Sequence, residues 1–410
     1  MKKLSLLCLL IPVFMQAQDL KSLIEHALKN NDIVVSKDFI KAAKEQEMQA
    51  AKNAYFPSVD AGGFYQSLNE KTPNLAGDTY SGYLKIGVDL YDGGRKSSTI
   101  QTTKSLLDAA TFDTQAYKKS LALLITRDFF TIKNQEANLI ALEEKNKQLE
   151  AQLQRVQQFF DVGSATSDEI DKLKAELSNN VYRMDATKFE ILSYKKILSV
   201  NVGLNIATLD NASFLVPSDV MMEDSDGIKS MMAQANALQK NAQVLGSAYL
   251  PQVRLENTYS IYDYGRSDAS HFEGLDKQNK LMLSFNVKLF DDGVIEKQKE
   301  AVLLQKKALE SQINQEKQFQ QINTKLAFAR IQTAHAQIQS AKSSLLSAQS
   351  AYESIVEKYK AGVVDNIAYL DALSKQTDAK AQYEVARNAL QVAYASYYYY
   401  TNKNIEEFIQ

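Results

Sequence analysis

LYDGGRK (Leu90–Lys96) decides the fold of this chain, because it ends an alternating, strand-like run and begins a very long stretch without glycine or proline. A near copy, LFDDGVI, lies at Leu289–Ile295. The two stretches that follow, Arg95–Val162 and Val294–Ala361, are both 68 residues long. Equal spacing of this kind predicts an internal repeat of one structural unit.

Both long stretches have the composition and period of helices. They are rich in Ala, Gln, Lys, Glu and Leu, which favour helix. Apolar residues recur at alternating spacings of four and three, as in Leu149, Leu153, Val156 and Phe160, which is the pattern of a coiled-coil seam. A helix of that length runs about 100 Å. The chain is therefore predicted to be mainly α-helical and built from long coiled-coil hairpins.

The remaining regular pattern is an alternation of apolar and polar residues in four short runs, two before each long helix. Such runs are typical of a membrane β-barrel, although an ordinary half-buried hairpin has the same alternation. Four strands are too few to close a barrel, and an open sheet edge is not tolerated in lipid. If the strands enter a membrane, identical copies must therefore combine them, and three copies give a twelve-stranded trimeric barrel with a lumen.

The first 17 residues read as a secretory signal peptide, with Lys2 and Lys3 before a short apolar core. The core is too short to span a bilayer. It holds the only cysteine, Cys8, so the mature chain is expected to contain no disulfide and no cysteine-bound metal. An exported protein without an apolar helical span must use β-strands if it enters a membrane.

These signals divide the chain into a signal peptide, two repeats and a linker. The first repeat is residues 18–202, with a single helix over Leu20–Ala54, a β-hairpin at 57–91, a long helix at 93–162 and a return helix at 164–202. The second repeat is residues 227–410, with a helix, a β-hairpin at 251–290, a long helix at 294–361 and a return helix at 363–403. Residues 203–226 form an equatorial linker that interrupts the stacked shorter helices.

Composition argues against several classes of function. A formal net charge of −2 does not favour a nucleic-acid binder. The histidines His26, His271 and His335 are far apart in sequence, and no catalytic constellation or phosphate-binding loop is present, so we expect neither enzymatic activity nor a cofactor. The pairs Met221-Met222 and Met231-Met232 could bind a soft metal, but without His or Cys nearby they are better explained as packing residues, and no metal site is predicted.

The order and spacing of these motifs resemble the TolC family of outer-membrane efflux and secretion channels. The resemblance covers the whole mature chain and includes YFP and YLP before the hairpins (55–57 and 249–251), LYDGGRK, and YKAGVVDNIAYLDAL (359–373). It implies a homotrimer in the outer membrane of a Gram-negative bacterium, with a large periplasmic portion in which the long hairpins form an α-barrel. The implied function is a passive exit duct of a tripartite efflux or type I secretion system, coupled to a periplasmic adaptor and an inner-membrane pump.

The resemblance also implies functional residues at the helical tips, which are the two turns that join each long helix to its return helix. Gly163 and Gly362 match the adaptor-docking turns, although both are also explained as helix C-caps. Asp371 matches one of two aspartates that ring the periplasmic entrance, whereas the other position is Ala368. The resemblance places Tyr359 and Glu169 in a latch whose usual arginine is Val364 here, and Tyr359 is also a heptad position suited to packing.

Three acids, Asp365, Asp168 and Glu169, are candidates for replacing the missing entrance charge. Three symmetry-related carboxylates would repel anions and attract cations. A solvated helix face or a helix-dipole contact explains the same residues without a pore. Gly93, Gly94 and Gly293 are predicted to supply the strand-to-helix turns.

Two alternatives stay open from the sequence. A non-channel exported coiled-coil structural protein explains the heptads, but not the paired alternating runs. A periplasmic adaptor has a long helical hairpin, but this chain has two of them and little other β pattern. Near the C-terminus, YASYYYY (Tyr394–Tyr400) is either an interfacial aromatic belt or, as we favour, a packing cluster against the linker.

Overall fold

A computed structural model describes residues 18–70, 76–218, 222–266 and 274–410. The signal peptide, Met221, His271 and parts of both hairpin loops lie outside the described residues. The helices are α1 (Leu20–Asn30), α2 (Asp32–Asn53), α3 (Arg95–Asp161), α4 (Ser167–Val202), α5 (Asp226–Gly246), α6 (Val294–Lys360) and α7 (Asn366–Tyr400). The strands are β1 (Ser58–Ser67), β2 (Asp78–Tyr91), β3 (Gln252–Gly265) and β4 (Lys277–Asn286). Short 3₁₀ turns occupy Ser247–Tyr249 and Ile405–Phe408.

The chain is mainly helical with one small sheet, as the sequence predicts. The sheet is a four-stranded antiparallel meander in the order β1-β2-β3-β4. Each of the long helices α3 and α6 has 67 residues. Among the described residues, no helix is both long enough and apolar enough to cross a bilayer.

The first helical region differs from the single helix that the pattern predicts over Leu20–Ala54. Asn31 interrupts it between α1 and α2 with extended backbone angles. The Asn31 side-chain oxygen accepts hydrogen bonds from the backbone N–H groups of Ile33 (3.0 Å) and Val34 (3.3 Å). The side chain therefore caps α2, a role in which asparagine competes with the helical backbone.

The fourth strand is shorter than predicted, because β4 ends at Asn286 although the alternation continues to Leu289. Asn286 pairs with Gln252, the first residue of β3. Within the described part of the chain, no strand pairs with the residues that follow Asn286. By contrast, β2 continues to Tyr91 because β3 still pairs with it at Val253.

Contacts divide the chain into two units. The helical unit comprises residues 18–36, 115–218, 222–225 and 317–410, and the sheet unit comprises 37–70, 76–114, 226–266 and 274–316. The helical unit has the larger apolar core, which includes Leu20, Ile24, Phe129, Tyr398 and Ile405. In the sheet unit, Ile228 of α5 packs with Ile313 of α6.

The tyrosine run near the C-terminus packs into the helical unit, which confirms the favoured interpretation. Tyr394, Tyr397 and Tyr398 are buried. The Tyr398 ring stacks on Phe408 with centroids 3.8 Å apart, and its hydroxyl donates to the Leu215 carbonyl at 3.0 Å. Burial raises the pKa of Tyr398. The run therefore joins the end of α7 to the linker.

Candidate functional site

The two helix-to-helix tips have the same backbone geometry. Gly163 and Gly362 have φ values of +74° and +71°. The Gly163 N–H donates to Phe160 O and the Ser164 N–H to Phe159 O; the Gly362 N–H donates to Tyr359 O and Val363 N–H to Lys358 O. This pair of bonds is the Schellman motif. Apart from the chain neighbours, no atom of the described residues lies within 4 Å of a Cβ built on either glycine. The left-handed conformation therefore requires glycine here, and crowding does not.

The acids beside the tips make local contacts. Asp365 is the N-cap of α7, and its carboxylate accepts from the Ala368 N–H at 2.9 Å. Asp168, in the first turn of α4, pairs with Lys172 at 2.6 Å and raises the pKa of that lysine. The capping bond identifies one stabilising role for Asp365, as expected for an acid at a helix N-terminus.

Asp371 lies on α7 and is largely exposed, with Lys375 one turn away at 2.7 Å. It lines a groove of about 570 Å³ between α6 and α7, whose walls are mostly small residues such as Ser344, Ala348 and Ala372. Asp371 is thus available to solvent, and water screens its interaction with the exposed Lys375.

Tyr359 belongs to an aromatic cluster that packs the tips together. Its ring centroid lies 5.5 Å from that of Tyr369, which in turn lies 5.9 Å from Tyr352. The Tyr352 and Tyr369 hydroxyls are 3.4 Å apart. Burial raises the pKa of Tyr359, with a further contribution from the Glu169 carboxylate, and burial also raises the pKa of Tyr369. The structure therefore brings Tyr359 and Glu169 into one neighbourhood and places Tyr359 in a packing role.

The helical unit contains a buried ion pair that the sequence analysis did not predict. The Lys145 side chain on α3 is 2% exposed, and its ammonium lies 2.7 Å from Glu176 of α4. The same ammonium donates to the Ser374 hydroxyl of α7 at 2.8 Å. Lys380 of α7 also pairs with Glu144 of α3. These contacts connect α3 and α4 to α7. The only sequence signal for them is that polar residues interrupt the heptad seam near Asn146.

The strand-to-helix corners of the sheet unit are capped by aspartates in both repeats. Asp92 accepts from the N–H groups of Gly94 (3.1 Å) and Lys96 (2.7 Å). Asp291 accepts from those of Gly293 (3.2 Å) and Ile295 (3.1 Å). Tyr249 donates a further bond to Asp291 at 2.6 Å, which lowers the pKa of that carboxyl group. The corners thus carry an Asp cap that sequence reasoning missed.

Glycine is needed at these corners for conformation, and at one position also for space. Gly93, Gly94 and Gly293 have φ values of +68°, +80° and +75°. A Cβ on Gly93 would lie 2.6 Å from the Leu250 Cβ, whereas one on Gly94 or Gly293 would meet no described atom within 4 Å other than those of its chain neighbours.

The sheet has two chemically different faces, because alternate residues of a strand point to opposite sides. In the strand register, Leu84 lies between Ala61 and Tyr259, and Leu255 lies beside Leu283. We call this the apolar face; it also carries Val59, Ile86, Val88, Leu281 and Phe285. The opposite, polar face carries Asp60, Lys85, Asp89, Arg254, Glu256 and Lys280. Many side chains of the apolar face are exposed in the single chain, including Leu281 and Phe285.

Comparison with known proteins agrees with this geometry. A sequence profile described as outer membrane efflux protein matches residues 23–180 and 221–402. No curated protein sequence matches significantly. Among solved structures, the chain is similar to the Campylobacter jejuni outer membrane channel CmeC, with a TM-score of 0.81, 18% identity, and coverage of 95% of this chain and 86% of CmeC.

Two further structures share the fold. The outer membrane protein VceC of Vibrio cholerae has a TM-score of 0.81 and 14% identity, with coverage of 94% of this chain and 96% of VceC. The open state of the Neisseria gonorrhoeae outer membrane channel MtrE has a TM-score of 0.76 and 14% identity, with coverage of 94% of this chain and 89% of MtrE. The profile match extends over most of the chain, and the chain therefore belongs to the outer membrane efflux protein family.

Proposed function

We propose that three copies of this chain form a twelve-stranded outer-membrane barrel, continued by periplasmic helices, that serves as a passive exit duct. The observation that carries the proposal is the open sheet: four strands, two unpaired edges among the described residues, and one exposed apolar face. Lipid tolerates neither unpaired edges nor charged surfaces. Joining β1 of one copy to β4 of the next removes every edge and presents the apolar face to lipid.

The helical unit supports the same assembly. Its α3 contacts α4 through Asn180, whose amide donates to the Leu142 carbonyl at 3.0 Å, and α7 contacts α3 and α6 through the ion pairs and tyrosines described above. In this order α4 and α6 are the outermost helices of the four, and both carry large exposed apolar side chains. These are Tyr182, Phe189, Leu192 and Val200 on α4, and Phe319, Ile322 and Leu326 on α6. We infer that α4 of one copy packs against α6 of the next, which buries both stripes in a closed ring.

The tips are proposed to hold the gate and to dock a periplasmic adaptor. The turn residues beside the tip glycines, Val162 and Val363, are 73% and 70% exposed, and exposed apolar groups of this kind suit a protein partner. Asp371, with Asp365, Asp168 and Glu169, would be repeated by threefold symmetry around the entrance. Close carboxylates at the axis would favour cations over anions.

Energy for transport must come from a partner pump in the inner membrane, since the sequence shows no nucleotide-binding motif. Residues 1–17 would direct export and be removed. The family match does not favour a non-channel coiled-coil protein or an adaptor, the two alternatives that the sequence left open.

Disulfide cross-linking between sheet edges tests the assembly. The mature sequence has no cysteine, and β1 and β4 of one chain are separated by two strands. Pairs combining Ala61→Cys with a cysteine at one of the β4 positions 279–285 should therefore form dimers and trimers only if neighbouring copies pair edge to edge. The single-cysteine proteins are the controls. Monomers at every position, together with no conductance in planar bilayers, would refute the proposal.

A further inference from the structure

The polar face of the sheet is divided into two zones along the strands. Rows of paired residues near the strand-to-helix corners carry charges: Asp60, Lys85 and Thr258 share one row, and Asp89 and Arg254 another. Rows near the hairpin loops carry aromatic residues instead. Phe64, Ser81 and Tyr262 share one row, and Tyr83 and Tyr264 lie in the two adjacent rows. We call Phe64, Tyr83, Tyr262 and Tyr264 the aromatic zone.

Most charges of the first zone belong to one network of ion pairs. Arg254 contacts Asp89 at 2.8 Å and Glu256 at 3.6 Å. Lys85 lies 3.9 Å from Glu256, and Lys96 lies 3.0 Å from Asp89. A Cβ on Gly87 would lie 2.4 Å from an Arg254 nitrogen, so the glycine leaves room for this arginine across the strand. An internally paired network of this kind has little net charge to offer a passing solute.

The aromatic zone presents ring faces where the alternation predicts polar residues. Phe64 is 49% exposed, while Ser81 between the rings is 8% exposed. A Cβ on Gly62 would lie 2.5 Å from the Tyr83 hydroxyl oxygen, so Tyr83 lies over the glycine and close to the sheet. The Tyr262 and Tyr264 rings are nearly parallel, at 11°. Phe64 is exposed and the three tyrosines are half-buried, so part of each ring stays uncovered.

From this arrangement we propose that the aromatic zone is a contact site for planar aromatic cations passing through the lumen. The inference rests on the proposed duct, in which the polar face lines the lumen. Ring faces carry partial negative charge and attract cations, and flat rings also stack on them. The ion pairs of the charged zone leave little net charge with which an aliphatic cation or an anion could pair. Both π stacking and cation–π attraction favour one ligand class, a flat ring system with a positive charge.

Single-channel recording with the purified, assembled mature protein tests the site. Ethidium is the planar aromatic cation, and spermidine, an aliphatic cation of higher charge, is the comparison probe. Ethidium should block current at lower concentration than spermidine. The triple variant Phe64→Thr, Tyr83→Thr and Tyr262→Thr should raise the ethidium dissociation constant by about thirtyfold, since each of the three exposed cation–π contacts contributes roughly threefold. Threonine keeps the strand propensity.

The matched control is Met282→Thr, which removes an exposed apolar side chain from the same face within the charged zone and should leave the block unchanged. If the triple variant fails to assemble, Phe64→Thr and Tyr262→Thr alone should each weaken the block by roughly threefold. A conducting channel in which spermidine blocks as well as ethidium overturns the inference, as does a block unchanged by these variants; both leave the duct intact. Absence of any conductance overturns the duct itself, and the aromatic site with it.

Discussion

Replacing Glu176 with glutamine is expected to loosen the helical unit around Lys145. The Lys145 ammonium is buried and has two described partners, the Glu176 carboxylate and the Ser374 hydroxyl. In Glu176→Gln the ammonium keeps hydrogen-bond acceptors but loses its compensating charge. An uncompensated charge in a buried position is costly, because water cannot reach it.

The expected loss of local opening free energy follows from how deeply the ion pair is buried. Removing one partner of a fully buried ion pair costs about 3–5 kcal/mol. Glu176 is 31% exposed, so water already screens part of this interaction, and an amide oxygen can still accept a hydrogen bond. We therefore expect a loss of about 2 kcal/mol in local opening free energy, which corresponds to an increase of about thirtyfold in the opening equilibrium.

Amide hydrogen exchange followed by mass spectrometry measures this opening directly, since local stability sets protection. Peptides from α3, α4 and α7 around Lys145, Glu176 and Ser374 should exchange about thirtyfold faster, while peptides of the sheet should not change. Asp185→Asn is the matched control, because Asp185 lies on the same helix and its pair with Lys188 is exposed at both ends. Its exchange should equal that of the native chain.

A double variant separates lost charge balance from lost packing. In Lys145→Met with Glu176→Gln no ammonium remains, and a methionine can fill the buried space. Protection near that of the native chain is expected. The reasoning is wrong if Glu176→Gln leaves exchange unchanged, or if the double variant is as unprotected as the single one.

Three other predictions concern backbone strain and burial. Gly93→Ala should destabilise the corner of the sheet unit more than Gly94→Ala. In both variants alanine must adopt a positive φ, but only a Cβ at position 93 collides with Leu250. Equal trimer yield and heat resistance for the two variants would contradict this. Gly163→Ala should cost about 1–2 kcal/mol by strain alone and speed proteolysis at the tip, whereas Gly246→Ala, at a helical φ of −63°, should not increase cleavage of its own segment. Burial raises the pKa of Asp128 above its ordinary 3.8, so the folded state binds the proton more tightly than the unfolded state. Its contribution to stability falls as pH rises from about 3.8 through that higher value. Asp128→Asn should flatten this part of the stability curve measured by exchange against pH, and an identical pH profile would argue against the burial effect.

The positions of the tip turns and of the acids beside them could be predicted from the sequence, but the residues that these side chains contact could not. The glycine spacing identifies both turns, because left-handed positions strongly favour glycine. The role of Asp365 as a cap agrees with its place before a helix. That Asp371 faces Lys375 in solvent, and that Tyr359 packs on Tyr369, depends on how helices meet. The pore positions of the acids stay a prediction, since they require the neighbouring copies.

Local periodicity by itself determined the order of helices and strands, the two long helices, the tip turns and the two faces of the sheet. Each of these follows from interactions within a few residues of sequence or from a repeat of fixed period. Only the tertiary structure decided which polar residues of the heptads are buried, where β4 loses its partner, and that Lys145 reaches Ser374, which lies 229 residues away. Burial and pairing of this kind depend on contacts between distant elements, and no local pattern in the sequence records them.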